Sequence, residues 1–174
     1  IELLREIMDQ TVERLHRDLT NQPVVEADLC ETLGKVYCDL GEFGKAVAMH
    51  RESLIIRSKV YGHEHARVAS SLNQIGDALH RQGNLSECER YHREALAIQI
   101  KVFGNESTAV AGTRNAIGSA LRASGKFAEA EKLLVQALDI MQRTLGEEHP
   151  DTLTMMSNLG ALYKDQGRFD ESER

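Results

Sequence analysis

Proline is nearly absent from this chain, with two residues in 174. That is too few to punctuate a fold of short strands and turns, so long helices are favoured. The three cysteines, Cys30, Cys38 and Cys88, form no CxxC and leave one over in any pairing. A disulfide framework is thereby disfavoured, and small apolar residues in a reducing compartment, the cytoplasm, are expected instead. No apolar run reaches the roughly 20 residues of a membrane span. Positive charge is not in excess either: 21 basic residues face 27 acidic ones, for a formal net charge of −6. A nucleic-acid surface normally shows the opposite balance. The chain begins at Ile1 and not at Met, so a leader or an upstream domain is expected to have preceded it. What remains, 41% hydrophobic and 28% charged residues, suits a real core with a soluble surface.

Motifs for chemistry are missing as well. There is no G-x-x-x-x-G-K-[ST] phosphate loop, no G-x-S-x-G elbow and no H-E-x-x-H helix. The nearest approach to a metal motif is YGHEHA at 61–66, where His63, Glu64 and His65 have ligand chemistry. Equivalent segments read GNES and GEEH, which marks a solvated loop, so no metal is expected. His50 and His92 share a repeat position, which suits a pH-sensitive or metal-holding pair or, more simply, ordinary packing. His16, His80 and His149 stand alone. Glu87, Glu89, Glu129 and Glu131 read as solvent-facing. Glu147 and Glu148 precede a helix start marked by Pro150 and Asp151, where negative charge complements the helix dipole. No catalytic residue, cofactor or enzyme activity is expected.

Glycine, by contrast, is periodic. Gly34, Gly76, Gly118 and Gly160 are spaced by 42 residues; so are Gly41, Gly83, Gly125 and Gly167, and again Gly62, Gly104 and Gly146. Repetition of this kind signals a stacked array. Leu33, Ile75, Ile117 and Leu159 precede the first glycine, and Tyr37, Leu79, Leu121 and Tyr163 follow it by three. Apolar residues at three- and four-residue steps describe amphipathic helices. The second and third glycines fall where helices stop, in the left-handed conformation of a C′ position. Each unit is then helix A, a turn, helix B and a loop. The first glycine lies inside helix A, where it costs about 1 kcal/mol against alanine. Its expected counterpart on helix B is Ala46, Cys88, Ala130 or Ser172, small residues that let the two axes approach.

This pattern resembles the tetratricopeptide repeat, whose signature has L-G-x2-Y in helix A and alanine in helix B. Leu33-Gly34…Tyr37…Ala46 and Leu159-Gly160…Tyr163 carry the match. Tryptophan is absent, and the later aromatic position holds His50, His92 or Leu134. The closing proline of the 34-residue form falls at Ser58, Ile100 or Gln142, so helix B is free to run on. With its 42-residue period and loops such as LGEEHPDTL at 145–153, the chain is similar to the kinesin-light-chain-like subclass. That subclass also occurs appended to signalling proteins, including bacterial protein kinases and nucleotide-binding regulators. The resemblance implies an all-α solenoid of stacked antiparallel helix pairs in a right-handed superhelix. It also implies protein–protein interaction, with an extended peptide or partner segment along the concave face and neither nucleic acid nor membrane as partner.

The expected units are 23–65, 66–107, 108–149 and a truncated 150–174. Residues 1–22 form a helix B of a preceding unit, because Leu4, Met8, Val12 and Leu19 stand one period before Ala46, His50, Leu54 and Tyr61. The whole reads as a piece of a longer array whose terminal faces are available for self-association into a homo-oligomer.

In such an array the A helices line the groove. Counting from the mid-helix glycine places Lys35, Asn73, Asp77, Asn115, Ser119, Arg122, Asn158 and Lys164 there as peptide-binding candidates. Amides donate and accept at once, so stacked asparagines can hold an extended backbone whatever its side chains. Family members use groove asparagines in this way, and the resemblance carries that role to Asn73, Asn115 and Asn158. The alternative is a merely solvated polar face. Charge is graded: Asp28, Glu31 and Asp39 face Lys35 at one end, whereas Arg122 and Lys164 at the other have few acids nearby and suit an acidic side chain. Arg114 breaks a column of Cys30, Leu72 and Met156; it either snorkels into the groove or pairs with an acid of the preceding helix B. The competing functional reading is a structural or self-associating segment of a larger signalling protein, fused to a kinase or nucleotide-binding regulator and without a peptide ligand.

Overall fold

A computed structural model describes residues 2–19 and 21–172; the side chains of Leu4, His16 and Ser172, all named above, lie outside that description. The elements are α1 (Glu2–Asp18), α2 (Pro23–Asp39), α3 (Phe43–Tyr61), α4 (Ala66–Gln82), α5 (Leu85–Phe103), α6 (Thr108–Ala123), α7 (Phe127–Leu145), α8 (Pro150–Asp165) and the short α9 (Phe169–Ser172). Helices α2, α4, α6 and α8 are the A helices, and α3, α5 and α7 the B helices. Each packs on its neighbours along the chain, and α4 meets α6 as α6 meets α8. The protein is an all-α array of stacked antiparallel helix pairs.

Local chemistry fixes most of the boundaries. After each A helix the backbone closes a Schellman turn with glycine at C′. Gly41, Gly83, Gly125 and Gly167 have φ of +76°, +85°, +74° and +74°. The amide of the next residue returns to the carbonyl five positions back, as in Asn84 N to Leu79 O at 2.9 Å and Lys126 N to Leu121 O at 2.9 Å. The third glycine series departs from expectation. Gly62, Gly104 and Gly146 pair a positive φ with ψ of 167°, 164° and 167°, so they are extended and not left-handed helical. That region is open essentially to glycine alone, and it sends the chain straight into the next loop. The following A helices begin on side-chain caps: Ser107 accepts from Val110 N, and His65 and His149 accept through Nδ1 from Arg67 N and Asp151 N. His65, read as loop, and His149, read as isolated, are thus helix caps. The B helices run unbroken through Ser58, Ile100 and Gln142.

The mid-helix glycines face a larger neighbour than the small residue expected. A Cβ placed on Gly76 would lie 2.6 Å from the His92 ring, and one on Gly118 would lie 2.7 Å from Leu134 Cγ; Gly34 is covered by the His50 ring in the same way. The small residues Ala46, Cys88 and Ala130 are fully buried one turn earlier. At the third unit the Ala130 carbonyl is also in range, 3.4 Å from the same Cβ position. Side chains on a helix lean toward its N-terminus, so the large residue covers the turn that the small one opens. His50 and His92 therefore fill the packing place that Leu134 fills in the third unit. All three cysteines are unpaired and buried, and burial pushes the Cys30 and Cys88 thiols up to about 12.

Two outcomes follow from this packing. Alanine at Gly76 must displace the His92 ring, so Gly76→Ala is expected to destabilise by about 1–3 kcal/mol despite alanine's better helix propensity. Gly112, also inside α6, has open space where a methyl group would go, with nothing within 4 Å of that position, so Gly112→Ala is expected to stabilise by about 0.5–1 kcal/mol. Urea midpoints of the two variants check the pair, and equal signs would contradict it.

The second concerns acid. Burial, assisted by Lys35 and Arg57 and opposed by Glu31, lowers the His50 imidazole to about 4 from its ordinary 6.5. The unfolded chain binds the proton first, so this term favours the fold fully above pH 6.5 and weakens as pH falls toward 4. At pH 5 the loss is about 2 kcal/mol. His50→Leu, which copies Leu134, is expected to lose about 2 kcal/mol less than the parent between pH 7.5 and pH 5. Parallel pH profiles for the two chains would contradict it.

Candidate functional site

The expected site residues all lie on the A helices, but several are already engaged. The first inter-helix space, between α2 and α4, contains Arg57, which rises from α3 and is only 4% exposed. Its guanidinium donates Nη2 to Asp28 Oδ1 at 2.7 Å and Nη1 to Ser71 Oγ at 3.0 Å, and pairs with Glu31 Oε2 at 2.5 Å. Arg67 Nη1 donates to Asp28 at 3.1 Å, and Glu31 Oε1 accepts from Lys35 at 2.6 Å and Gln74 at 2.7 Å. Burial alone would raise the Glu31 carboxyl, but bonds from Lys35, Gln74 and Arg57 outweigh it and hold the group at about 2. Asp39 faces Arg81 at 3.6 Å. The acidic end read from the sequence is therefore neutralised within the fold. Sequence reasoning missed Arg57; the signal was available, because its column otherwise holds Leu15, Gln99 and Met141.

The amides form ties between successive A helices. Gln74 on α4 donates to Glu31 on α2, and Asn158 on α8 donates to Asn115 Oδ1 on α6 at 3.0 Å. These are the same two positions of the repeat. At the middle step Ala116 has no amide to offer. Asn73 turns instead to Thr113, donating to its Oγ1 at 2.8 Å, and faces His92 Nδ1 at 3.1 Å through its Oδ1. With the amide oriented this way, the imidazole proton resides on Nδ1. Asn73 is thus largely consumed by structure. Asn115 keeps its amide hydrogens, and Asn158 its carbonyl oxygen, among the described residues.

Charged candidates divide similarly. Asp77 stands 3.5 Å from His92 Nε2 with its side chain 66% exposed, yet the protein mass around it raises the carboxyl to about 6. Arg122, expected to have few acids nearby, meets Asp165 at 3.4 Å. Lys164 is exposed and unpaired among the described residues, and Ser119 is half-buried. Arg114 neither enters the groove nor pairs with helix B. It reaches Asn105 in the loop before its own helix, at 3.4 Å from the carbonyl and 3.3 Å from Oδ1. On the B side, the glutamates read as solvent-facing link neighbouring units: Arg51 to Glu87 at 3.2 Å, Arg93 to Glu129 at 2.5 Å, Lys126 to Glu89 at 3.1 Å and Arg168 to Glu131 at 2.7 Å. Glu64 of YGHEHA pairs with Lys101, and no cluster of metal-ligating groups occurs among the described residues.

Among the clefts in the described surface, two lie between successive helices of the same kind. One of about 660 Å³ lies between α3 and α5, over Leu54, Ile55, Ala97 and Ile98. Another of about 430 Å³ opens between α6 and α8, where Gly112 and Asn115 face Asp151 and Met155 above Met141. Of that set only Asn115 was expected in the groove; Asp151 was expected as a helix-start residue.

Comparison with known proteins places this geometry. A family model described as tetratricopeptide repeat matches residues 27–101, 67–142 and 108–174. No curated protein matches the chain. BtubC (BKLC) from P. vanneervenii superposes with a TM-score of 0.80 at 24% identity, over 97% of this chain and 67% of that one. A protein of Podosopora anserina assigned as a kinesin light chain, with nearly identical TPR-like repeats, gives 0.77 at 24% identity, over 97% of this chain and 80% of that one. The apo form of RapI gives 0.78 at 15% identity, over 99% of this chain and 62% of that one. Likeness at such identities concerns the fold. The family model, matched in overlapping blocks from α2 to the last residue, goes further: the chain belongs to the tetratricopeptide repeat family.

Proposed function

We propose that this protein–protein interaction scaffold takes an extended segment of another protein along the face formed by α2, α4, α6 and α8. Lys35, Asn73, Asp77, Asn115, Ser119, Arg122, Asn158 and Lys164 are the residues that meet it. The observation that carries this reading is the strip on α6 and α8, where Asn115 and Asn158 tie the helices together and still have amide groups to offer. Such groups pair with a backbone irrespective of its side chains. Lys164, unpaired among the described residues, supplies the positive end for an acidic side chain. Asn73 has least left to give, and its contribution is to hold α4 against α6.

The units of this reading are 23–65, 66–107, 108–149 and 150–174, with 1–22 as a helix B, in the 42-residue form of the kinesin-light-chain-like subclass. The recurrence of Schellman ends after every A helix, and of capped starts at α4, α6 and α8, supports that division. The protein acts in the cytoplasm by binding and not by catalysis, without cofactor or metal. No helix among the described residues is long and apolar enough to cross a membrane. A second reading, self-association as part of a larger signalling protein, draws on the exposed Leu3 and Ile7 of α1 and Phe169 of α9. Under it, the mass measured by light scattering rises with concentration and the groove stays empty.

For the groove reading, random twelve-residue peptides displayed on phage are selected on the chain, and one retained peptide is titrated. Asn115→Ala with Arg122→Ala is expected to weaken it at least tenfold while helicity is unchanged. Full affinity in the double variant would contradict binding at this face.

A further inference from the structure

The space between successive A helices occurs three times, and its contents change. Between α2 and α4 it is filled by the chain itself, with the Arg57 guanidinium among Asp28, Glu31 and Ser71 and with Arg67 closing on Asp28. Between α4 and α6 the counterpart of Arg57 is Gln99, still buried. Between α6 and α8 the counterparts of Arg57, Asp28, Ser71 and Arg67 are Met141, Gly112, Met155 and Asp151. Both internal cations are gone, the carboxylate they neutralised is gone, and a new carboxylate stands on α8. The cleft of about 430 Å³ opens at this place.

Its chemistry is specific. Met141 and Met155 form a floor and are each 4% exposed. No Lys or Arg lines the cleft. His149 stands beside the Asp151 carboxylate, with Nδ1 at 3.8 Å from Oδ2. That nitrogen accepts the Asp151 amide proton at 3.2 Å, so it has no proton to donate to the carboxylate.

We propose that this cleft is a side-chain subsite of the groove, and that it takes a lysine or arginine of the bound segment. The proposal rests on the groove reading above and names the side chain the groove selects. The alkyl stem lies on Met141 and Met155, whose thioethers are flexible and polarisable enough to fit an unbranched chain. The charged head reaches the Asp151 carboxylate at the rim, which no Lys or Arg meets among the described residues. An acidic side chain is repelled here, and a bulky apolar one strips water from Asp151 without replacing it. The formal net charge of −6 favours the same sign of partner.

The test uses the phage-displayed peptide library on three chains. Gly112→Leu fills the cleft, and its backbone tolerates a side chain because φ is not positive and a Cβ there meets nothing within 4 Å. Asp151→Asn keeps the shape and removes the charge. The wild-type pool is expected to carry Lys or Arg at one fixed position. Replacing that residue by Met in a selected peptide, or using Asp151→Asn, costs about threefold to fivefold in affinity, the range of an exposed ion pair, and the two changes together cost no more than either alone. Gly112→Leu costs tenfold or more, with helicity by circular dichroism unchanged. Peptides retained without a basic position, or affinity untouched by both substitutions, overturn the subsite while leaving the groove intact. Retention of no peptide by any of the three chains overturns the groove reading itself, and the subsite with it.

Discussion

The array depends on one contact, a glycine in the middle of each of the first three A helices pressed against a large side chain of the partner B helix. His50 and His92 cover Gly34 and Gly76, and Leu134 covers Gly118. With no Cβ in the way, the two axes come close, and the buried small residues Ala46, Cys88 and Ala130 keep the opposite wall flat. The helix propensity lost at the glycine is offset by dispersion contacts across the interface. Because the contact recurs every 42 residues, each pair presents the same faces to the next, and stacking follows.

Once the pairs are stacked, polar side chains set their register. On the B side, arginines and lysines bridge to glutamates of the neighbouring unit; being partly open to water, such pairs orient more than they stabilise. On the A side, amides and one buried guanidinium cross from helix to helix. The same groups that line this face therefore also tie the helices together. This divides the face. The first unit, sealed by Arg57, Asp28, Glu31 and Lys35, has little hydrogen-bonding capacity left. The α6–α8 end retains free amide groups and a cleft.

The fold was legible in the sequence because glycine and apolar spacing report backbone and packing constraints that act locally. The lack of proline at Ser58, Ile100 and Gln142 foretold the long B helices, and they run as expected. The partner of the mid-helix glycine was misread by one turn: spacing identifies which residues share a face, but the lean of a side chain decides which of them covers it. The third glycine series was placed correctly and given the wrong conformation, since a positive φ alone does not distinguish a left-handed from an extended residue. Among site residues, the Asn73 and Asn115 column does not pair with itself: Asn115 is met by Asn158 from the neighbouring repeat position, and Asn73 turns to Thr113 and His92. The charge gradient is reduced on folding to the unpaired Lys164, because the pairing of Arg57 with Asp28 and Glu31, and of Arg122 with Asp165, joins residues far apart in the chain.

The most direct test of the glycine contact is a double-mutant cycle on Gly76 and His92, followed by urea denaturation. If the glycine exists to seat the ring, cutting the ring back with His92→Ala removes most of the penalty of Gly76→Ala. The cycle then shows a coupling of about 1 kcal/mol or more, within the range for residues in contact. Additive effects, with alanine at 76 equally harmful whether or not the ring is present, would contradict the account.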